Sequence, residues 1–240
     1  MSGGTSIMRV KQFFLAVSAA VFLSGCGEAK LYLSHLVGPD HYYIAAAQPV
    51  SAVPAPPEPG SPEDKKDLET LLDWQARRTE ADCARANAQS RADYNEFFGD
   101  ISPFPDPLPP EASKILFRVY YDGGKTVAAA KKRFSRKRPF RRDKAIEPCL
   151  GGGGGLSYPS GHATVTRVFA LLFSDLVPAK RGTFLTRADE AALNRVIGGV
   201  HHPSDIEAGK LLGDAIYAGL LKEPSFRADL EKLRLLLKPQ

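Results

Sequence analysis

YPSGHATVTRVFALLFSDL, residues 158–176, joins a proline-containing turn to a segment whose apolar residues recur at helical spacing. A helix is predicted over roughly 160–177, with Ser160 at its start. Arg167 and Asp175 interrupt its apolar run, which therefore falls short of the about 18 uninterrupted apolar residues that a bilayer span needs. Further helical patterns follow at roughly 187–198, 204–222 and 225–237, with Thr186 and Asp189 as a capping-box-like start and Ser225 as a cap. Upstream, Ser61-Pro62-Glu63-Asp64 supplies an N-cap, a first-turn proline and acidic residues, predicting one long helix to about Phe98. Leu68, Leu71, Leu72 and Trp74 mark its apolar face, and its alternating charges read as a solvated one. SPFPDPLPP, residues 102–110, excludes regular structure, and a second helix is expected from about Glu111 to Phe134, carrying Ile115, Leu116, Val119 and Tyr120. No segment sustains strand alternation, so the expected fold class is all-α.

The chain has 240 residues, 43% hydrophobic and 25% charged, which suits one catalytic domain with appendages. Its net charge of +5 falls to +3 without Arg9 and Lys11, too mild for a nucleic-acid partner. Those two residues precede an apolar segment from Phe13 to Leu23, closed by Leu23-Ser24-Gly25-Cys26. This resembles the lipobox of bacterial lipoprotein signal peptides. The resemblance implies a signal peptide over 1–25, lipidation of Cys26 and a lipid anchor on the periplasmic side of a bacterial membrane. Gly27 stands where an inner-membrane retention signal would carry aspartate, which favours the outer membrane.

Residues 26–60 are expected to form the lipidated N-terminus and a proline-rich tether, since QPVSAVPAPPEPGSP (48–62) favours extended backbone. An ordered course against the domain is the alternative, and residues 27–47, with Tyr32, Tyr42 and Tyr43, either pack on the domain or form a short helix. The helical domain then occupies 61–240. Cys83 and Cys149 remain outside the lipobox; a disulfide between them is one reading and two free buried thiols the other. No Cys/His spacing suggests a metal site, and no cofactor is expected.

Three clusters carry chemistry: KKRFSRKRP (131–139), YPSGH (158–162) and NRVIGGVHHPSD (194–205). Lys131, Arg138 and Arg195 supply positive charge, and guanidinium forks suit phosphate. Ser160 adds a hydroxyl, and the amides of Gly161 and His162 would stand at a helix N-terminus, a natural anion cradle. His201 and Asp205 are four positions apart, so the carboxylate can hold one imidazole nitrogen while the other attacks. His162 then suits the general acid, titrating near the working pH. Gly198 and Gly199 are expected to let the backbone approach substrate, and His202 to sit on a pocket wall or the surface. Singly, each cluster has a plainer reading; the basic run 131–142, for example, reads as a solvated face.

Together, KX6RP, PSGH and RX5HX3D resemble the signature of the type 2 phosphatidic acid phosphatase superfamily, and the wording around them is similar to that of bacterial class A nonspecific acid phosphatases. The resemblance covers about residues 61–237. It implies a helical bundle on the scaffold shared with vanadium haloperoxidases, and a metal-independent acid phosphatase acting on small-molecule phosphate monoesters through a phosphohistidine. By that likeness Lys131, Arg138, Ser160, Gly161 and Arg195 bind phosphate, His201 is the nucleophile, Asp205 orients it and His162 protonates the leaving group. Asn194 departs from the serine often found there, and the run Gly151–Gly155 is unusual in the loop before PSGH. Lipid phosphate or isoprenyl pyrophosphate phosphatase, vanadium-dependent haloperoxidase and a catalytically idle lipoprotein are the competing readings. Oligomeric state stays open, a homo-oligomer included.

Overall fold

The computed structural model describes residues 38–90, 94–151 and 154–239. The signal peptide, Cys26 and Gly152 and Gly153 lie outside the described residues. The described residues contain helices and no strand: α1 (Ala47–Ser51), α2 (Pro62–Arg77), α3 (Glu80–Ala88), α4 (Tyr94–Phe98), α5 (Pro110–Phe134), α6 (Pro139–Arg142), α7 (Gly161–Leu176), α8 (Arg181–Ile197), α9 (Pro203–Leu220) and α10 (Pro224–Leu235). None of these helices is long and apolar enough to cross a membrane. The all-α expectation holds.

Helix α7 is central, packed most extensively against α8 and α9. Phe169, Leu172 and Phe173 of α7 are fully buried with Phe184 of α8 and Leu212 and Ile216 of α9. The α7–α9 crossing depends on small residues. A Cβ on Gly209 would stand 2.7 Å from the Ser160 carbonyl oxygen, and one on Gly213 would stand 2.7 Å from Cβ of Arg167. The glycines therefore let α9 lie directly on the first turn of α7.

Several expected boundaries differ from the structure. The helix predicted from Ser61 to Phe98 is three helices, because Arg78 is extended and Thr79 starts a new helix with a capping box to Asp82. Helix α8 begins at Arg181, after a 3₁₀ turn from Pro178 to Lys180, so Thr186 and Asp189 lie within it. Pro224 at the first position of α10 makes Glu223, not Ser225, its N-cap.

The part of the predicted tether that is described, residues 38–60, is packed on the domain. Asp122 of α5 accepts the backbone N–H groups of Tyr42, Tyr43 and Ile44 at 2.8, 2.7 and 3.0 Å. Val50 and Val53 enter the main core, and the Tyr158 hydroxyl donates to the Pro54 carbonyl. The proline content misled because a proline-rich strap can still form a short helix and bury its valines, Val50 on α1 and Val53 just after it.

Candidate active site

Each functional segment leaves a helix end in a conformation fixed by a local residue. Ser135 terminates α5 in the left-handed region, φ 52°, so Lys131 sits in the last helical turn while Arg136 and Arg138 follow off the helix. Ser160 is the N-cap of α7, its Oγ accepting the Ala163 N–H, and its own N–H donates to the Asp205 carbonyl at 2.9 Å. The amides of Gly161 and His162 therefore open the helix. After α8, Gly199 takes φ +75° and turns the chain into His201. His202 caps α9, and Asp205 is its capping-box partner.

Lys131, Arg138, Gly161, His162 and His201 line one cavity of about 340 Å³ with Tyr120, Val127 and Val165. Arg195, Ser160 and Asp205 are not among the lining residues and are each buried, Ser160 next to Gly161 and Asp205 bonded to His201. The three sequence clusters are thus brought to one place. Gly198 and Gly199 correct the earlier expectation: their close neighbours are Leu150 and Pro148, beside Cys149. Cys83 and Cys149 are bonded, tying α3 to that loop.

The hydrogen bonds assign the imidazole protons. His201 Nε2 lies 2.8 Å from Arg138 Nη1; guanidinium only donates, so Nε2 presents its lone pair. Its Nδ1–H donates to Asp205 Oδ2 at 3.3 Å. For His162, Nε2 is 3.1 Å from both the Gln89 and Ser90 carbonyls, which only accept, so Nε2 carries the hydrogen.

Burial, with repulsion among neighbouring cations, lowers the pKa of Lys131, Arg138, His162, Arg195 and His201. Burial lowers Lys131 to about 7, with Arg138 adding repulsion. Burial and then Arg195 lower His162 to about 3, against the bonds to the Gln89 and Ser90 carbonyls. This corrects the expectation that His162 titrates near the working pH in the unliganded site. Burial lowers Arg195 to about 10 and also lowers Arg138. Burial drives His201 well below its ordinary value against the bond to Asp205, with Arg138 and Lys131 adding repulsion. The Nε atoms of Arg138 and Arg195 are the buried side-chain donors that find no acceptor among the described residues. A bound oxyanion would supply both the missing acceptors and the missing negative charge.

That electrostatic state has a measurable sign. An anion in the cavity raises the depressed pKa values of Lys131 and His162, so binding takes up protons. Sulfate, whose charge is constant over the acidic range, is therefore expected to bind more tightly as pH falls from above 7, the Lys131 value, toward 3, the His162 value. Calorimetry in buffers of different ionisation enthalpy should show net proton uptake; proton release, or affinity that weakens with acid, would contradict it.

Behind Asp205 lies a buried network that the sequence reading missed. Arg136 donates through Nη1 to Ser204 Oγ (2.7 Å) and Asp205 Oδ1 (2.9 Å), and through Nη2 to Asp64 Oδ1 (3.0 Å) and Asp67 Oδ2 (2.9 Å). Arg142 grips Asp64 with both terminal nitrogens and also donates to His202 Nε2. His202 is fully buried, donating from Nδ1 and from its backbone N–H to Asp205 Oδ2 at 3.0 and 2.8 Å, where Ser157 also donates. Burial alone would raise Asp205, but the bonds from His201 and His202 hold it well below the ordinary carboxylate range. Asp64 and Asp67 are thus core residues, not part of a solvated face.

Residues 115–225, which contain all three clusters, match the family model described as PAP2 superfamily. This stretch is a PAP2 superfamily domain. The chain containing it is 29% identical to the non-specific acid phosphatase of Providencia stuartii over 82% of its own length and 84% of that protein. It is 27% identical to the acid phosphatase of Zymomonas mobilis over 95% of itself and 90% of that protein. The fold matches a bacterial vanadium-dependent iodoperoxidase with TM-score 0.58 at 18% identity, covering 75% of this chain and 53% of that one. At that identity the likeness speaks for the fold alone. Lys131, Arg138, Ser160, His162, Arg195, His201 and Asp205 all fall inside the PAP2 match.

Proposed function

We propose that this chain is an acid phosphatase that hydrolyses small phosphate monoesters by two successive phosphoryl transfers, first to His201 and then to water. The names of the relatives, acid phosphatases along most of the chain, support the reaction class. The unsatisfied, buried Nε–H groups of Arg138 and Arg195, beside the lone pair of His201 Nε2, carry the mechanistic reading. Arg138, Arg195 and Lys131 take the phosphate oxygens, with the amides of Gly161 and His162 and the Ser160 hydroxyl completing the cradle. As Arg138 turns its donors onto phosphate, His201 Nε2 is released to attack phosphorus. The P–O ester bond breaks, its electron pair going to the leaving oxygen, which takes a proton from His162. The resulting imidazolium of His201 keeps Nδ1–H on Asp205. Water then attacks the phosphohistidine, with neutral His162 accepting its proton. The positive charge needed comes from side chains, so no metal or cofactor is assigned a step.

The test is a quench experiment with labelled substrate in EDTA. An acid-labile phosphoenzyme should form, and added alcohol should accept phosphate in competition with water. Turnover that depends on a chelatable metal, or a phosphoenzyme stable in acid, would refute the scheme. Halide oxidation by the vanadate-loaded protein in peroxide would instead indicate a haloperoxidase.

The proposed setting is the periplasmic side of a bacterial membrane, with Cys26 lipidated. Leu23-Ser24-Gly25-Cys26 after a basic and an apolar segment supports it, and the Cys83–Cys149 disulfide suits an oxidising compartment. Blocking lipoprotein processing with globomycin, or substituting C26S, should leave an uncleaved precursor; normal maturation would refute the anchor.

A further inference from the structure

We infer that Asn194 and Gln89 form a positioning pair that holds His162 as the proton donor. The inference rests on the reading of His162 as general acid. Gln89 is the C-cap of α3, and its side chain accepts from Asn194 Nδ2 at 2.7 Å. The same residue's carbonyl, with that of Ser90, receives His162 Nε2–H at 3.1 Å. One turn earlier the Ala86 carbonyl accepts from Arg195 Nη2, the residue next to Asn194. The end of α3 thus meets two neighbouring residues of α8 through a side-chain pair and a backbone bond, and from there fixes the ring of His162. Upstream, the disulfide at Cys83 ties the same helix to the loop before PSGH.

The consequence is chemical. With Nε2–H committed to two carbonyls, the proton available to a leaving group is the one on Nδ1. On transfer the imidazolium loses that proton to the leaving oxygen and returns to the neutral Nε2–H tautomer, so the carbonyl bonds persist through the step. Those carbonyls, at a helix C-terminus, also favour the charged ring that must exist before transfer. Arg138 of the cavity lining and the buried Arg195 oppose the charge, whereas the two carbonyl bonds favour it. The amide at 194, where the resemblance led one to expect serine, is long enough to reach Gln89, so the departure from the family pattern has a local partner.

The experiment measures kcat for an alkyl phosphate and for p-nitrophenyl phosphate in the wild type and in H162A, N194A and Q89A. The alkyl leaving group needs the proton; the nitrophenolate does not. H162A sets the reference split. N194A and Q89A should each lose roughly 10- to 100-fold on the alkyl ester and less than about 2-fold on the aryl ester, since only the acid is misplaced. The acid limb of kcat should also shift in both variants. The reciprocal exchange Q89N/N194Q, which preserves the donor, the acceptor and the summed length, should recover most of the alkyl activity. Equal losses on both substrates, or no loss on either, would overturn the pair's role. If H162A itself shows no split, the acid assignment fails and the pair's role fails with it; if H162A splits and the other two do not, the positioning role alone is refuted.

Discussion

The variant H201A is expected to fold, to bind sulfate as the wild type does, and to lose turnover by on the order of 10⁴- to 10⁶-fold, with no phosphoenzyme trapped. Two adjacent histidines, 201 and 202, donate to the same carboxylate, so sequence position alone does not choose between them. The geometry favours the proposed His201: it lines the cavity with its Nε2 lone pair toward Arg138, whereas His202 is fully buried with Nε2 against Arg142. Removing His201 leaves Asp205 with donors from Arg136, Ser157 and His202, so the loss falls on chemistry and not on folding. H202A should behave in the opposite way. It strands an acceptor site on Asp205 and a donor on Arg142, lowering stability by about 1–3 kcal/mol while the phosphoenzyme still forms. Denaturant titration and quench labelling of both variants decide the matter; a phosphoenzyme in H201A and none in H202A would reverse the assignment.

The parts of this protein that were legible in the sequence are those whose signal is local or whose spacing is rigid. Ser61 and Pro62 start α2 as expected, and α5 spans almost the predicted residues. His201 and Asp205 meet because they stand four positions apart across the start of α9. What was hidden depended on long-range pairing. Asp64 and Asp67 lie one turn apart beside Leu68 and Leu71, a placement that only becomes a burial signal once Arg136 and Arg142 are known to face them. His202 could have been found: His202-Pro203-Ser204-Asp205 has the form of a capping box, which places its ring against Asp205. The break at Arg78 was equally readable, since Thr79 and Asp82 form the same kind of cap. In the strap, the anchoring group is Asp122, far along the chain from the amides it binds, and no local pattern reports it.

The substitution R136M is expected to cost about 3–5 kcal/mol of stability near neutral pH, the magnitude of leaving buried carboxylates without their cation. Arg136 satisfies oxygen atoms of Asp64, Asp67 and Asp205 at once, in surroundings where each is nearly inaccessible to water. Methionine fills similar volume but donates nothing, and Arg142 reaches Asp64 alone of the three. The pH dependence follows from the direction of the shifts. For Asp64, the Arg142 bond leads in holding the carboxyl well below the ordinary range, with Arg136 contributing; Asp205 is likewise held low by His201 and His202 against burial. Depressed carboxylates give stability that is present above the unfolded value of about 4 and is lost as pH falls through the folded values. In R136M the folded values rise toward ordinary ones, so the deficit should be widest above about pH 5 and narrow on acidification, where protonation neutralises the stranded groups. R136K should recover only part of the deficit, because one ammonium cannot reproduce a planar fork spanning four acceptors. Urea denaturation across the acidic range measures all of this. A deficit that stays constant with pH would mean that Arg136 acts through packing and not charge. In that case the orientation of Asp205, and with it of His201, would have to rest on Ser157 and His202 alone.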